Sequence, residues 1–253
     1  MSTDEFTYKS QDVHYLGFLE AQLRDLQGTA TLAYELIQNA DDVVEENGRS
    51  ATTLTFDVTD DALIVENDGL FRDVDFARLQ HVASGGKREE AETTGAFGIG
   101  FTAVYQVTDA PEIFSSGRHW IIRPDAPADR RIQERQMATD GTRFRLPWAF
   151  DPASVVRRTL RLPVIRPDEL DGFAQALGAA LETAALFLRR LQVLTVRRNG
   201  ALVRQIRRHA AGSELVLADE AGQTRRWLLL DGAFADEAAR LRAAHPWQIE
   251  AAR

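Results

Sequence analysis

The chain has 253 residues, 44% of them hydrophobic, enough to bury the core of one large domain or of a domain with an appendage. It contains no cysteine, which excludes disulfides, thiolate metal sites and cysteine nucleophiles, and no apolar run reaches the roughly 18 to 20 residues of a membrane span. The net charge of −8 disfavours a general nucleic-acid binder, and the first residues lack the apolar middle of a signal peptide, so a soluble cytoplasmic protein with no membrane partner is expected.

Taken in order, Leu16, Leu19, Leu23 and Leu26 form one apolar edge and predict a helix from about Ser10 to Gln27. Gly28 and Thr29 end it and cap a second helix over Thr29 to Glu46. At roughly 100° per residue, Glu35, Asn39 and Asp42 share one narrow stripe of that helix. Ala33, Leu36, Ile37, Ala40 and Val44 fall on the other side, as a core-packing face requires. Such a polar row, taken alone, is simply the wet side of an amphipathic helix.

Leu54, Phe56 and Val58 alternate with polar residues, Thr59-Asp60-Asp61 turns, and Leu63-Ile64-Val65 returns, a β-hairpin pattern that ends at Asn67-Asp68-Gly69. Asp73 to His81 reads as a short helix. The polar stretch from Val82 to Thr94, with Gly85-Gly86, reads as a mobile loop able to act as a lid. Gly95, Gly98 and Gly100 then lead into an apolar helical run, Phe101 to Tyr105. Glycines at a helix start let backbone N–H groups crowd around phosphate oxygens. The run has neither the Gly-Lys-Ser/Thr ending of a Walker loop nor the Rossmann spacing.

Glu112 to Phe114 and His119 to Ile122 read as paired strands, Pro124 to Asp140 as irregular, and Thr142 to Leu146 as a strand with Thr142, Phe144 and Leu146 on one face. A long helix is expected from Asp168 to Arg190, then a hairpin through Asn199-Gly200, strands at Leu215 to Leu217 and Trp227 to Leu230, and a helix from Ala235 to Ala244. The predicted fold is an α/β two-layer sandwich: a mixed, largely antiparallel sheet covered on one face by helices. Residues 1–210 read as the main domain, with 211–253 as its extension or the start of a following region. Between Ala153 and Ala211 lie eleven arginines against four acids, a local +7 that allows a face for nucleic acid or an acidic partner and equally reflects arginine-rich coding.

Glu35-Leu36-Ile37-Gln38-Asn39-Ala40-Asp41-Asp42, Glu66-Asn67-Asp68-Gly69, Gly95-Ala96-Phe97-Gly98-Ile99-Gly100-Phe101 and Gly141-Thr142, in that order, resemble the four signature boxes of the GHKL ATPases, the superfamily of gyrase, heat-shock chaperones, histidine kinases and mismatch-repair proteins. Over roughly residues 10 to 205 the wording is most similar to the amino-terminal ATPase-like region of sacsin and its prokaryotic relatives. The resemblance implies the Bergerat (GHKL) fold, ATP and Mg²⁺ as ligands, and an ATPase, weak as an isolated domain, that acts as a chaperone-like, nucleotide-gated switch.

Residue by residue, it implies Glu35 as the general base for the attacking water and Asn39 as the Mg²⁺ ligand. Asp42, with Asp41, would be a ribose-side or supporting group, and the backbone around Gly95, Phe97, Gly98, Ile99, Gly100 and Phe101 would hold the phosphates. Where the family has an aspartate for the adenine amino group, Asn67 stands, with Asp68 the adjacent alternative. Gly69 would let the base approach the backbone, and Phe71 replaces an expected second glycine. Thr142 would place a hydroxyl near the base. Ser84 and Lys87 are read as phosphate contacts made when the loop closes, Lys87 otherwise as a solvated loop residue. Expected partners are ATP/ADP, a second copy in a nucleotide-dependent homodimer, and a protein client. The alternatives are a nucleotide-binding scaffold without useful hydrolysis and a partner- or nucleic-acid-associated module. The five histidines sit in no phospho-acceptor context.

Overall fold

In the computed structural model, which describes residues 14–80, 100–229 and 239–240, ten strands hydrogen-bond into one mixed sheet. In chain order they are β1 (Thr53–Val58), β2 (Ala62–Asn67), β3 (Glu112–Ser115), β4 (Arg118–Ile122), β5 (Ile132–Gln136), β6 (Thr142–Pro147), β7 (Val193–Arg198), β8 (Ala201–Ala211), β9 (Glu214–Asp219) and β10 (Thr224–Leu228). They lie side by side as β10-β9-β8-β7-β1-β2-β6-β3-β4-β5, antiparallel throughout except for the parallel pair β1 and β7.

The period-two pattern selects one face. In β1, Leu54, Phe56 and Val58 are buried while Thr53 is exposed. In β6, Thr142, Phe144 and Leu146 are buried and Arg143 exposed. On the buried face lie α1 (Tyr15–Leu23), α2 (Thr29–Asp42), α3 (Asp73–Gln80), α4 (Val155–Leu160) and α5 (Leu170–Ala185). Helix α5 packs on β7, β8 and β1, and α2 packs on α5 and on a 3-10 helix, Gly100–Gln106. Leu36 and Ile37 of α2 are 2% and 1% exposed, each worth roughly 1.5 to 3 kcal/mol relative to a solvated side chain. The turn Asn199-Gly200 has both residues at positive φ, 48° and 79°, as a tight hairpin needs. Among the described residues no helix is long and apolar enough to cross a membrane.

Several expectations are corrected. The second helix stops at Asp42 rather than Glu46: Val43 is extended, and Val44 pairs with Ser50. The burying residue is therefore Val43, 4% exposed, in place of Val44. The long helix stops at Ala185, five residues before Arg190, because the following amides turn to a carboxylate of α2 described below. The first helix begins at Tyr15, where the His14 ring accepts from the Gly17 amide at 3.1 Å. Pro124 to Asp140 contains β5, an edge strand whose one apolar residue, Ile132, carries little alternation signal. Phe101 to Tyr105 forms a tight 3-10 turn. Helix α4 went unforeseen, being too short to show a period. The strands β9 and β10 continue the sheet past Ala211. Of the helix expected over Ala235 to Ala244, only Ala239 and Arg240 are described, and both are helical.

Candidate functional site

Helix α2 presents Glu35 and Asn39 one turn apart, on the side that meets the 3-10 helix. Gly100 lies so close that a Cβ added to it would strike the Glu35 carboxylate, so any other residue there would displace that side chain. Burial in this corner holds the Glu35 carboxyl above its ordinary value, and no hydrogen bond from the described residues offsets the shift. Asn39 is 8% exposed, and its amide nitrogen is buried without a partner. An unpaired buried amide costs about 1 to 3 kcal/mol, and among the described residues Asn39 shares that state with single atoms of Glu45, Gln106 and Arg131.

The floor of this region is where β2, β6 and β3 lie side by side. The Thr142 hydroxyl donates to the Gly69 carbonyl at 2.8 Å. The Ser115 hydroxyl accepts from the Phe71 amide at 2.9 Å, and the two hydroxyls are 2.7 Å apart. With Thr142 donating to Gly69, its oxygen accepts from Ser115, and the chain of four groups has one direction. Gly69 is forced by space, since a Cβ would stand 2.8 Å from Val43 Cγ1 and 3.2 Å from the Ala51 methyl. Gly141 is likewise forced, with a Cβ falling 2.5 Å from the Asn67 carbonyl oxygen.

Asn67 and Asp68 point to different places. Asn67 lies on the helix-covered face, 6% exposed, and its Oδ1 accepts from the Gly69 amide at 3.0 Å. Both oxygens of Asp68 are taken at the entrance of β1, by the Thr52 amide at 2.7 Å, the Thr53 amide at 2.9 Å and the Thr52 hydroxyl at 2.6 Å. Burial raises the Asp68 carboxyl, but these hydrogen bonds outweigh it and hold the group below its ordinary value. Asp68 thus ties two strand ends together.

The other acids of α2 divide similarly. Asp41 is 5% exposed and accepts backbone N–H groups from Arg189, Arg190 and Leu191 at 2.9, 2.8 and 2.8 Å. Asp42 faces a cleft of about 700 Å³ between α2 and the end of α5, lined also by Tyr34, Phe187 and Arg189, with the Arg190 guanidinium 3.9 Å away. Burial, then the Asp41 charge, pushes the Asp42 carboxyl up, against the pull of Arg190 and Arg189. Phe101 is 4% exposed against Phe144, so its side chain is core and only its backbone can face a ligand. Ser84, Lys87, Gly95, Phe97, Gly98, Ile99 and the loop from Val82 to Thr94 lie outside the described residues.

Sequence reasoning missed Ser115, whose part depends on the register Phe114 to Arg143 that brings β3 beside β6. It also missed Arg157, 2% exposed, whose guanidinium binds Asp109 at 2.6 Å and the carbonyls of Tyr105, Gln106, Thr108 and Pro163. That arginine holds the C-terminal end of the 3-10 helix. Arg166, Arg198 and Arg204 have carboxylate partners and Arg190 and Arg208 carbonyl partners, so much of the arginine-rich segment is hydrogen-bonded within the fold.

The profile of the Sacsin domain matches residues 13–138. Human (Homo sapiens) Sacsin is 31% identical over 123 residues, covering 42% of this chain and 3% of that protein. The match takes in α2, the β1–β2 hairpin, Gly69 and the 3-10 helix, the parts that assemble the corner around Glu35 and Asn39. The chain therefore carries a sacsin-like region over residues 13–138.

Proposed function

We propose that the corner between α2, the β2 end and the 3-10 helix binds ATP with Mg²⁺ and hydrolyses it, in a GHKL-type (Bergerat) domain. The observation that carries this reading is the side-by-side placing of a desolvated Glu35 carboxylate, an unpartnered buried Asn39 amide and a glycine that closes on Glu35. A buried polar group left without a partner calls for an explanation, and beside a desolvated carboxylate a ligand is the one this reading adopts. The mixed sheet with helices on one face is the layering that the GHKL resemblance implies.

In this reading Glu35 orients the attacking water and takes its proton, and its raised pKa brings it closer to neutral pH, where a general base is most effective. The Asn39 Oδ1 would ligate Mg²⁺, which takes oxygen ligands and keeps few protein contacts, while the unpartnered Nδ2, a donor, would suit a phosphate oxygen. No cluster of three or more metal-binding side chains occurs among the described residues. The ion would neutralise charge on the transferring phosphate. The backbone from Gly100 onward would contribute N–H groups toward the phosphates. Asn67 and Gly69 would face the base; Asp68, whose oxygens are already held, would not.

Calorimetric titration with a non-hydrolysable ATP analogue, with and without Mg²⁺, tests binding, and phosphate release under saturating ATP tests turnover. Saturable Mg²⁺-dependent binding lost in Asn39→Ala supports the site. No heat with any nucleotide removes it. Nucleotide-dependent dimerisation, read as a mass change by light scattering on adding the analogue, tests the switch and the second copy as partner. A protein client and chaperone-like work belong to the same proposal, since the chain spans 3% of its human relative. Binding without turnover would leave the scaffold reading. The partnering of the arginines gives a nucleic-acid face no support.

A further inference from the structure

A cleft of about 700 Å³ beside α2 is left unused by the proposed nucleotide corner. Its floor is apolar: Ile37, Ala184 and Leu188 are 8% exposed or less. Two rings stand at its rims, Tyr34 on α2, 39% exposed, and Phe187 beyond the end of α5, 80% exposed and the most exposed large apolar side chain among the described residues. A scattered surface apolar residue needs no explanation, but a ring beside an apolar-floored cleft has the form of an interface anchor. The rims also differ in charge. Asp42 ends α2 with one long contact, 3.9 Å to Arg190, and on the other rim the Arg189 guanidinium has no hydrogen bond or ion pair among the described residues. Helices α2 and α5 run in the same direction, since their starts line another cleft together, Thr29 with Gly172, and Asp41 near the end of α2 holds the amides that follow α5. Asp42 and Arg189 therefore stand at the same end of the cleft on opposite rims.

We propose that this cleft is the interface of a two-fold dimer of the chain, in which the Phe187 ring of each copy enters the cleft of the other. A two-fold axis running along the cleft, parallel to both helices, lays the α2 rim of each copy over the α5 rim of its partner. Height along the axis is kept, so Asp42 of each copy meets Arg189 of the other, and the unlike charges are matched twice. A foreign partner would have to bring an acid, a base and an apolar anchor in this order, whereas a second copy carries them already in place. The four rings supply roughly 400 to 600 Å² of buried surface and the rims add to it, which suits a weak, reversible dimer rather than an obligate one. The contact uses neither Glu35 nor Asn39 and needs no nucleotide. It therefore goes beyond the proposed ATP site and is separable from it.

Sedimentation equilibrium of the full chain without nucleotide, up to about 1 mM, reads the association. Wild type is expected to show a reversible monomer–dimer equilibrium, and Phe187→Ser to weaken it by about ten-fold or more. The charge arrangement is read by mixing. Asp42→Arg alone and Arg189→Asp alone each set like charges face to face and should dimerise about ten-fold more weakly than wild type. An equimolar mixture of the two pairs opposite charges at both contacts and should return to within about three-fold of wild type. A monomer at every concentration overturns the inference, as does a dimer indifferent to Phe187→Ser or a mixture no better than its components. A dimer that forms only with nucleotide and survives Phe187→Ser also overturns it, and leaves the nucleotide-switch reading standing. Should a charge variant fail to fold, wild type and Phe187→Ser decide, since a side chain 80% exposed carries little of the fold.

Discussion

Two of the three acids of helix α2, Glu35 and Asp41, are treated by the fold in opposite ways. Asp41 gathers three backbone N–H groups of the segment after α5, and Arg190 reaches over to the Asp41 carbonyl at 2.9 Å. Glu35, one and a half turns earlier, is pressed against Gly100 with nothing among the described residues to compensate its burial. The same contrast separates Asp68, which holds three donors, from Asn39, whose amide nitrogen has none. A fully partnered acid is part of the framework. A buried polar group without partners lowers stability, and in the proposed reading a ligand satisfies the one at Asn39.

The contrast breaks most visibly at Asp41. Replacing it with alanine strands three N–H groups, two of them bound to one oxygen, and the expected loss is roughly 3 to 5 kcal/mol in urea unfolding. A loss under about 1 kcal/mol would mean that Asp41 is no framework acid. Next comes Glu35→Gln, which keeps shape and a hydrogen-bonding oxygen but cannot take a proton. Turnover should fall by about 10² or more while nucleotide affinity holds. Wild-type turnover in that variant would demote Glu35 to a binding group. Because burial raises the Glu35 pKa and a base acts only when ionised, the acid limb of the wild-type pH–rate profile should lie above the ordinary 4.5. A limb at or below that value counts against Glu35.

Asn39→Ala sharpens the other side. Its removal takes away a group whose nitrogen has no partner in the empty protein, so stability should rise, or fall by less than about 1 kcal/mol, while affinity for the Mg²⁺ nucleotide falls by about ten-fold or more. Loss of stability with unchanged affinity would reverse the assignment. The smallest effect is expected at Asp68→Asn, about 1 kcal/mol at neutral pH after allowance for solvent around a half-buried group. Its folded pKa is depressed, so its contribution is present above the ordinary 3.8 and is lost as pH falls through the lower folded value. The gap between wild type and variant should therefore close in acid, which pH-dependent unfolding curves can follow.

Much of this was legible in the residues themselves. The period of α2 sets Glu35 and Asn39 on one stripe and buries Ala33, Leu36, Ile37 and Ala40 on the other. The alternation of β1 and β6 likewise decides which face is core, because both signals repeat over spans shorter than the element. The ends of the elements were not legible. The unwinding after Ala185 depends on Asp41, 148 to 150 residues away in the chain, and the turn after Asp42 depends on the space Gly69 leaves for Val43 and Ala51. β5 became a strand only because β4 offered it an edge, with too few apolar residues to show a period of its own.

The same division runs through the site. The family resemblance grouped an acid, a carboxamide and a glycine run, of which Gly100 is seen against Glu35. Only the tertiary structure decided between neighbours. Asn67 ends β2 on the covered side, while Asp68, in the bend that follows, turns to the strand entrance where Thr52 and Thr53 supply its donors. Which polar groups are used up and which are left open is a property of contacts between distant segments, and no local pattern of residues encodes it.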